Sequence, residues 1–307
     1  MAELPKKQGN GVCMFAYNNE QLDYGKFAYT CAKFIKRNMK NNSVALITNT
    51  GTFDWMVQSQ GEKAVAEAFD HIIYEEPEED GKRNMRVHHD SPWTEFNAPF
   101  SNMNKHHVFD VTPFERTLLI DTDMVLMNNF YDYIFDTDVE VGLHRFAQYI
   151  GGEIPYMNEV TLNPSGINHW WSTVVYFDQS NLSKMFFDMW NHVRENYEYY
   201  SLLYQFSPHL FRTDFCVSIA CHLMNGLNNE NFVHDFLGQP LLNMDQKDDI
   251  VKFNNLDDIV FLKHNRQEPW KNVLIKHSKD NIHLMNKRAF DRQVEFLKTE
   301  FEGATVE

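Results

Sequence analysis

Apolar and polar positions along the chain alternate between short apolar runs and stretches in which apolar residues recur every three or four positions. VCMFAYNN at 12–19 predicts a strand ending in polar residues, and LDYGKFAYTCAKFIKRNM after it has helical spacing. SVALITN at 43–49 predicts a second strand, so the start of the chain reads as a right-handed βαβ unit. In open α/β sheets ligands lie beyond the carboxyl ends of the strands. Ala16, Tyr17, Asn18 and Asn19, with Thr48 and Asn49, therefore stand where a nucleotide could bind.

Further along, GEKAVAEAFDHIIYEE predicts a helix and a short third strand, and EEPEEDGK a solvated turn. Residues 92–111, rich in aromatics and His but weakly periodic, predict a loop and a short helix across the edge of the site. TPFERTLLIDTDMVLMNNFYDYIF then gives a turn and a buried strand. VEVGLHRF and WSTVVYFDQ predict strands, NLSKMFFDMWNHVRENYEYYSLLYQF one amphipathic helix, and RTDFCVSIACHLMNG a helix closed by Gly. DDIVFLKHN and NVLIKHSKDNIHLMN are late strands carrying His, and RAFDRQVEFLKTEF a final helix. With no internal repeat or linker, one α/β unit is preferred over two domains.

Composition narrows the class. The 307 residues are 43% hydrophobic and 14% aromatic, as in a chain that buries a large core. No run approaches the length of a membrane span and MAELPKKQGNG lacks the apolar centre of a secretory signal, so the expectation is a soluble, cytoplasmic protein. Cys13, Cys31, Cys216 and Cys221 form no C-x-x-C pair and read as buried thiols. A net charge of −15 argues against a broad phosphate-backbone surface but leaves room for a local basic pocket.

The chemistry concentrates in LLIDTDMVLMNN at 118–129. One Asp at a strand end suits a turn; two, one residue apart past the end of a buried strand, can converge on one cation. Mg²⁺ and Mn²⁺ take carboxylate and phosphate oxygens, and Mn²⁺ also accepts imidazole. Asp121 and Asp123 thus make half of a metal and diphosphate site. A second D-x-D, Asp136 and Asp138 in FDTDVE, lacks a preceding apolar run and reads as a loop. The P-loop, the Gly-rich dinucleotide loop, H-E-x-x-H and G-x-S-x-G are missing from the sequence, which disfavours those enzyme classes.

From about residue 11 to 290 the sequence resembles the nucleotide-sugar-dependent glycosyltransferases of the GT-A fold, in the glycogenin and galactosyltransferase-like group and especially its phage-encoded members. The resemblance rests on FAYNNEQLDYGKFAYTCAKFIKRNM, VALITN, TPFERTLLIDTDMVLMN, STVVYFD, RTDFCVSIACHLMNG and IHLMNK. It implies a single GT-A domain over 1–307, a Rossmann-like mixed sheet flanked by helices with D-x-D at the end of an internal strand. Residues 11–130 would form the nucleotide-sugar half, 131–290 the acceptor and sugar half, and 291–307 a C-terminal helix and tail. The resemblance also implies a UDP-sugar donor with Mn²⁺ or Mg²⁺ on Asp121 and Asp123, the first carboxylate also meeting ribose or sugar.

Carried over residue by residue, Tyr17 and Asn18 match positions at the base and ribose, with Ala16 beside them at the strand end as a further nucleotide-binding candidate, and Arg86 and Lys105 are candidate cations for the nucleotide. The third metal ligand is His283, followed by phosphate-binding Lys287, or else His264 with Arg266 and Trp270. Asp214 matches an acidic residue near the transferred sugar, its alternative being a helix cap. Trp171, Ser172 and Thr173 depart from the small-residue pattern of relatives. The implied acceptor is a glycan, a protein or a modified DNA base. Sugar nucleotidyl transfer and non-catalytic nucleotide-sugar binding are the competing readings.

Overall fold

Burial on both faces explains why the first strand reads as an unbroken apolar run. In β1 (Asn10–Ala16) every residue from Gly11 on is buried, with parallel neighbours on both sides. The computed structural model describes residues 7–78, 84–153, 161–162, 166–227, 232–236, 238–265 and 267–304; Arg266 lies outside them. After β1 the Asp23 carboxylate accepts the Lys26 amide at 3.0 Å and starts α1 (Tyr24–Asn38). The chain returns as β2 (Val44–Thr48), and Asn49 caps α2 (Thr50–Gln60) by accepting the Thr52 amide at 2.9 Å. Then come α3 (Glu62–Ala68) and β3 (His71–Tyr74), parallel to β2.

The loop expected from residue 92 is in part a strand. β4 (Met85–Ser91) and β5 (Thr94–Pro99) pair as an antiparallel hairpin, followed by a 3₁₀ turn at Lys105–His107 and α4 (Val108–Val111). Its alternation is inverted in polarity, which hid it: Arg86 and His88 turn inward while Met85 and Val87 are half exposed.

β6 (Arg116–Ile120) and β7 (Met124–Leu126) flank the D-T-D. They are followed by β8 (Val141–His144), β9 (Ala147–Tyr149), β10 (Thr161–Leu162), β11 (Ile167–Asn168) and β12 (Trp171–Asp178). The single helix expected after residue 180 is two, α5 (Asn181–Glu195) and α6 (Tyr197–Leu203), because Asn196 leaves helical geometry at φ −105°, ψ 30°. α7 (Thr213–Met224) precedes β13 (His234–Asp235), β14 (Leu241–Met244), β15 (Asp249–Asn255), β16 (Asp258–Lys263), β17 (Val273–Ser278) and β18 (Asn281–Leu284). α8 (Lys287–Ala304) is the last described element.

The main sheet runs β13-β8-β12-β6-β1-β2-β3 and is mixed, since β12 lies antiparallel to both β6 and β8. Alternate residues serve its two faces: Cys13 and Phe15 join the core with Phe186, Trp190 and Cys216 of α5 and α7, while Val12 and Met14 join Ala28 and Ile35 of α1. Helices therefore flank a mixed α/β sheet on both sides, as the sequence predicts. A second sheet, β7-β18-β14-β9, packs under α1 and α8, where Phe27 stacks on Phe290 with centroids 5.1 Å apart. All four cysteines are free and buried. Among the described residues no helix is long and apolar enough to cross a membrane.

Candidate functional site

The D-T-D forms the turn by which the chain leaves the main sheet for the second one. The Asp121 amide donates to Thr173 O at 3.0 Å, Met124 N to Asp121 O at 3.2 Å, and Leu284 N to Asp123 O at 2.9 Å. Both carboxylates are thus presented at the junction of two sheets. Met124 stands opposite His283 in the β7–β18 ladder, which brings His283 Nε2 to 3.3 Å from Asp123 Oδ2. One ligand atom from each of Asp121, Asp123 and His283 lies within 4.8 Å of the others. Two carboxylates and one imidazole are a donor set that suits Mn²⁺ and admits Mg²⁺ with water, so these residues fit a divalent ion.

Neither Asp136 nor Asp138 belongs to this group; Asp136 ends a 3₁₀ stretch beginning at Phe130. Of the two histidines left open by the sequence, His264 lies elsewhere. Its ring packs edge-on against Trp93 at 5.5 Å, and its Nδ1 is 3.3 Å from Asn272 Nδ2.

Cations surround the carboxylates. Lys105 Nζ lies 2.6 Å from Asp121 Oδ1 and 2.7 Å from Ser172 O, and Lys287 Nζ 2.7 Å from Asp123 Oδ2. Burial alone would raise the Asp123 carboxyl, but Lys287 and His283 hold it well below the usual carboxylate range. Burial acts to lower Lys287, and the facing Asp123 outweighs it, so the ammonium is stabilised. Both directions describe one ion pair. Arg86 lies with its guanidinium carbon 3.4 Å from the centre of the Phe100 ring and donates to Phe211 O at 3.1 Å. Burial and the nearby Arg212 bring it down to about 10, which leaves it a cation at neutral pH. Lys105 is 3% exposed and Arg86 is stacked on Phe100, so neither is a solvated surface charge.

Asp214 stands inside the first turn of α7, and no side chain caps that helix. Its Oδ1 accepts Ser172 N at 2.9 Å and Ser172 Oγ at 2.6 Å, and its Oδ2 accepts Arg212 at 3.2 Å. Burial would raise this carboxyl; Arg212, His169 and the Ser172 bonds hold it low and ionised. The unusual Trp171-Ser172-Thr173 segment thereby acquires a structural account, since Ser172 joins Asp214 to Lys105 and Thr173 O anchors Asp121.

Ala16, Tyr17 and Asn18 stand at the carboxyl end of β1 as expected, and the fold already employs each. Ala16 O accepts Thr48 Oγ1 at 2.7 Å, and Tyr17 is 2% exposed. Asn18 Oδ1 accepts the Gly25 amide at 2.8 Å, and its own amide donates to Thr52 Oγ1 at 2.8 Å. Gly25 permits this closeness, because a Cβ there would meet Thr52 Cγ2 at 3.2 Å. Beside them opens a cleft of about 450 Å³, lined in part by Asn19, Asp23, Lys26, Trp55 and Arg288.

Three neighbours escape the sequence reading. Tyr24 is held among Lys287, Asp123, Arg86 and Asp121, with its hydroxyl raised chiefly by burial. His88 stacks on Phe96, and its buried Nε2 has no partner; burial, then Lys287 and Arg86, push it down to about 3. Asn243 contacts His283. Only Asn243 had a signal, as the lone polar residue of the buried run LLNM.

No protein-family model matches the chain, and no curated protein matches it. Solved structures do resemble it. The glycosyltransferase GlyE of Streptococcus pneumoniae TIGR4 is 10% identical with a TM-score of 0.40, over 75% of this chain and 45% of that one, so less than half of GlyE is spanned. The galactosyltransferase LgtC, solved with donor and acceptor sugar analogs, is 10% identical with a TM-score of 0.44, over 69% of this chain and 70% of that one. A structure assigned to glucose-1-phosphate thymidylyl transfer, from Bacillus anthracis, is 9% identical with a TM-score of 0.40, over 74% of this chain and 86% of that one. At such identities and TM-scores none of them assigns an activity to this chain.

Proposed function

We propose that this chain is a metal-dependent glycosyltransferase of the GT-A type that moves a sugar from a nucleoside-diphosphate sugar, a UDP-sugar in the first instance, to a glycan, protein or modified-base acceptor. One observation carries the reading: Asp121, Asp123 and His283 converge within 4.8 Å, with Lys105 and Lys287 bonded to the two carboxylates. A divalent ion at such a site, Mn²⁺ or Mg²⁺, supplies Lewis-acid neutralisation of a diphosphate leaving group. Lys287, Lys105 and Arg86 supply the remaining positive charge for the phosphates, and their burial strengthens each contact. Asp214, held ionised by Ser172 and Arg212, faces the transferred sugar and accepts its hydroxyl protons in hydrogen bonds. Residues 11–130 form the donor half and 131–290 the sugar and acceptor half of one domain working in the cytoplasm.

UDP titrated into metal-free protein, with and without Mn²⁺, tests this against Asp121→Ala/Asp123→Ala. Metal-dependent binding in wild type, lost in the double variant, is expected. Failure of UDP to bind under either condition rejects the UDP-sugar assignment. Pyrophosphate released from a nucleoside triphosphate and a sugar phosphate would replace it with nucleotidyl transfer, and binding without hydrolysis or transfer with a nucleotide-sugar-binding protein.

A further inference from the structure

β14 and β18 are parallel neighbours whose ladder sets Asn243 opposite His283. Both are buried, Asn243 at 1% exposure within a run whose other residues are apolar. Asn243 Oδ1 lies 3.2 Å from His283 Nδ1, on the far side of the ring from the contact between Nε2 and Asp123. The backbone at Asn243 is held on both sides, since β9 pairs along its other edge and Ile150 N donates to Asn243 O at 3.0 Å. The amide therefore meets the imidazole from a fixed platform. Its Nδ2 is buried and has no partner in this arrangement.

A neutral imidazole carries one N–H and one lone pair. For Nε2 to bind a cation its lone pair must point at the carboxylates, which puts the proton on Nδ1 and requires an acceptor there. From these contacts we infer that Asn243 is the positioning residue of the metal site, holding the His283 ring and its Nδ1–H tautomer; this rests on the metal reading above. An amide suits the task better than a carboxylate for two reasons. It adds no third negative charge beside Asp121 and Asp123. By turning over, it can also present its unpartnered Nδ2–H to the Nδ1 lone pair, so that Nε2–H donates to Asp123 without the ring moving. The ring keeps one orientation in both tautomers.

The test is Mn²⁺ binding followed by electron paramagnetic resonance in wild type, His283→Ala, Asn243→Leu and Asn243→Asp, with near-ultraviolet circular dichroism reporting the fold. Asn243→Leu is expected to weaken Mn²⁺ binding roughly 10- to 100-fold, and Asn243→Asp, which keeps an acceptor at Nδ1, to recover most of it. Two-bond ¹H–¹⁵N spectra of wild type loaded with Zn²⁺, a diamagnetic ion that takes imidazole, should show the His283 proton on Nδ1, a readout independent of whether Asn243→Leu folds. Folded Asn243→Leu binding Mn²⁺ as tightly as wild type, while His283→Ala is weakened, overturns the inference alone. So does a proton found on Nε2 in the Zn²⁺ form. Absence of Mn²⁺ binding by wild type, or no effect of His283→Ala, overturns the metal reading and the inference with it.

Discussion

Lys287 Nζ lies 2.7 Å from Asp123 Oδ2, with the two side chains only 15% and 5% exposed. The pair forms because β18 docks beside β7 and α8 begins three residues later. Removing one partner of a buried pair leaves the other uncompensated, at a cost of about 3–5 kcal/mol. His283 stays beside Asp123, so Lys287→Met should fall at the lower end of that range, near 3 kcal/mol in urea unfolding. Its UDP affinity in Mn²⁺ should drop at least about tenfold, the loss expected of a charge-assisted phosphate contact. A folded variant that binds UDP as wild type does would remove Lys287 from the diphosphate.

Asp214 combines charge with an acceptor for Ser172, and two substitutions separate these roles. Asp214→Asn keeps an oxygen for the Ser172 amide while removing the charge; turnover should fall about 100-fold with the fold retained. Asp214→Leu also strands the buried Ser172 donors and should cost a further 1–3 kcal/mol or so of stability. Calorimetry beside turnover measurements decides the matter, and equal turnover in wild type and Asp214→Asn would exclude a role at the sugar.

Three buried histidines give the fold an acid sensitivity of known sign. Burial pushes His88, His106 and His144 down to about 3. Between an unfolded value near 6.5 and that folded value the unfolded chain binds more protons, so stability is complete above about pH 6.5 and lost as pH falls toward 3. His144, 1% exposed and 2.8 Å from the Tyr131 hydroxyl, should account for roughly 2 kcal/mol at about pH 5. His144→Gln should lower stability near neutrality yet shrink the difference between urea midpoints near pH 7.5 and about pH 5. An unchanged difference would mean that His144 is not kept neutral.

The β4–β5 hairpin carries Arg86 and His88 inward, and α8 pins it. Arg292 reaches Asp90 at 2.6 Å and Asp249 at 2.9 Å, while Asn286 donates to Asp90 O at 3.0 Å. Arg292 is 45% exposed, so Arg292→Ala should cost less than about 1 kcal/mol globally. Amide exchange in residues 85–99 should nevertheless accelerate and donor KM rise, because the face bearing Arg86 loosens. Exchange confined to its wild-type rate would show that Arg292 does not hold the hairpin.

By itself the sequence determined the features whose physics is local. Strands buried on both faces must be apolar throughout, so β1, β2, β6 and β12 were legible as runs, and α1 and α5 as helical periods. The placement of Asp121 and Asp123 past the end of β6 was equally local. Tertiary structure alone decided which side chains meet those carboxylates. The approach of His283 to Asp123, the Asn243–His283 contact and the embrace of Asp214 by Ser172 all follow from strand register and helix docking. Residues distant in the chain settle them, and no local period encodes that register. The β4–β5 hairpin stayed hidden for a related reason: a strand facing a charged site turns its polar residues inward, reversing the pattern by which half-buried strands are read.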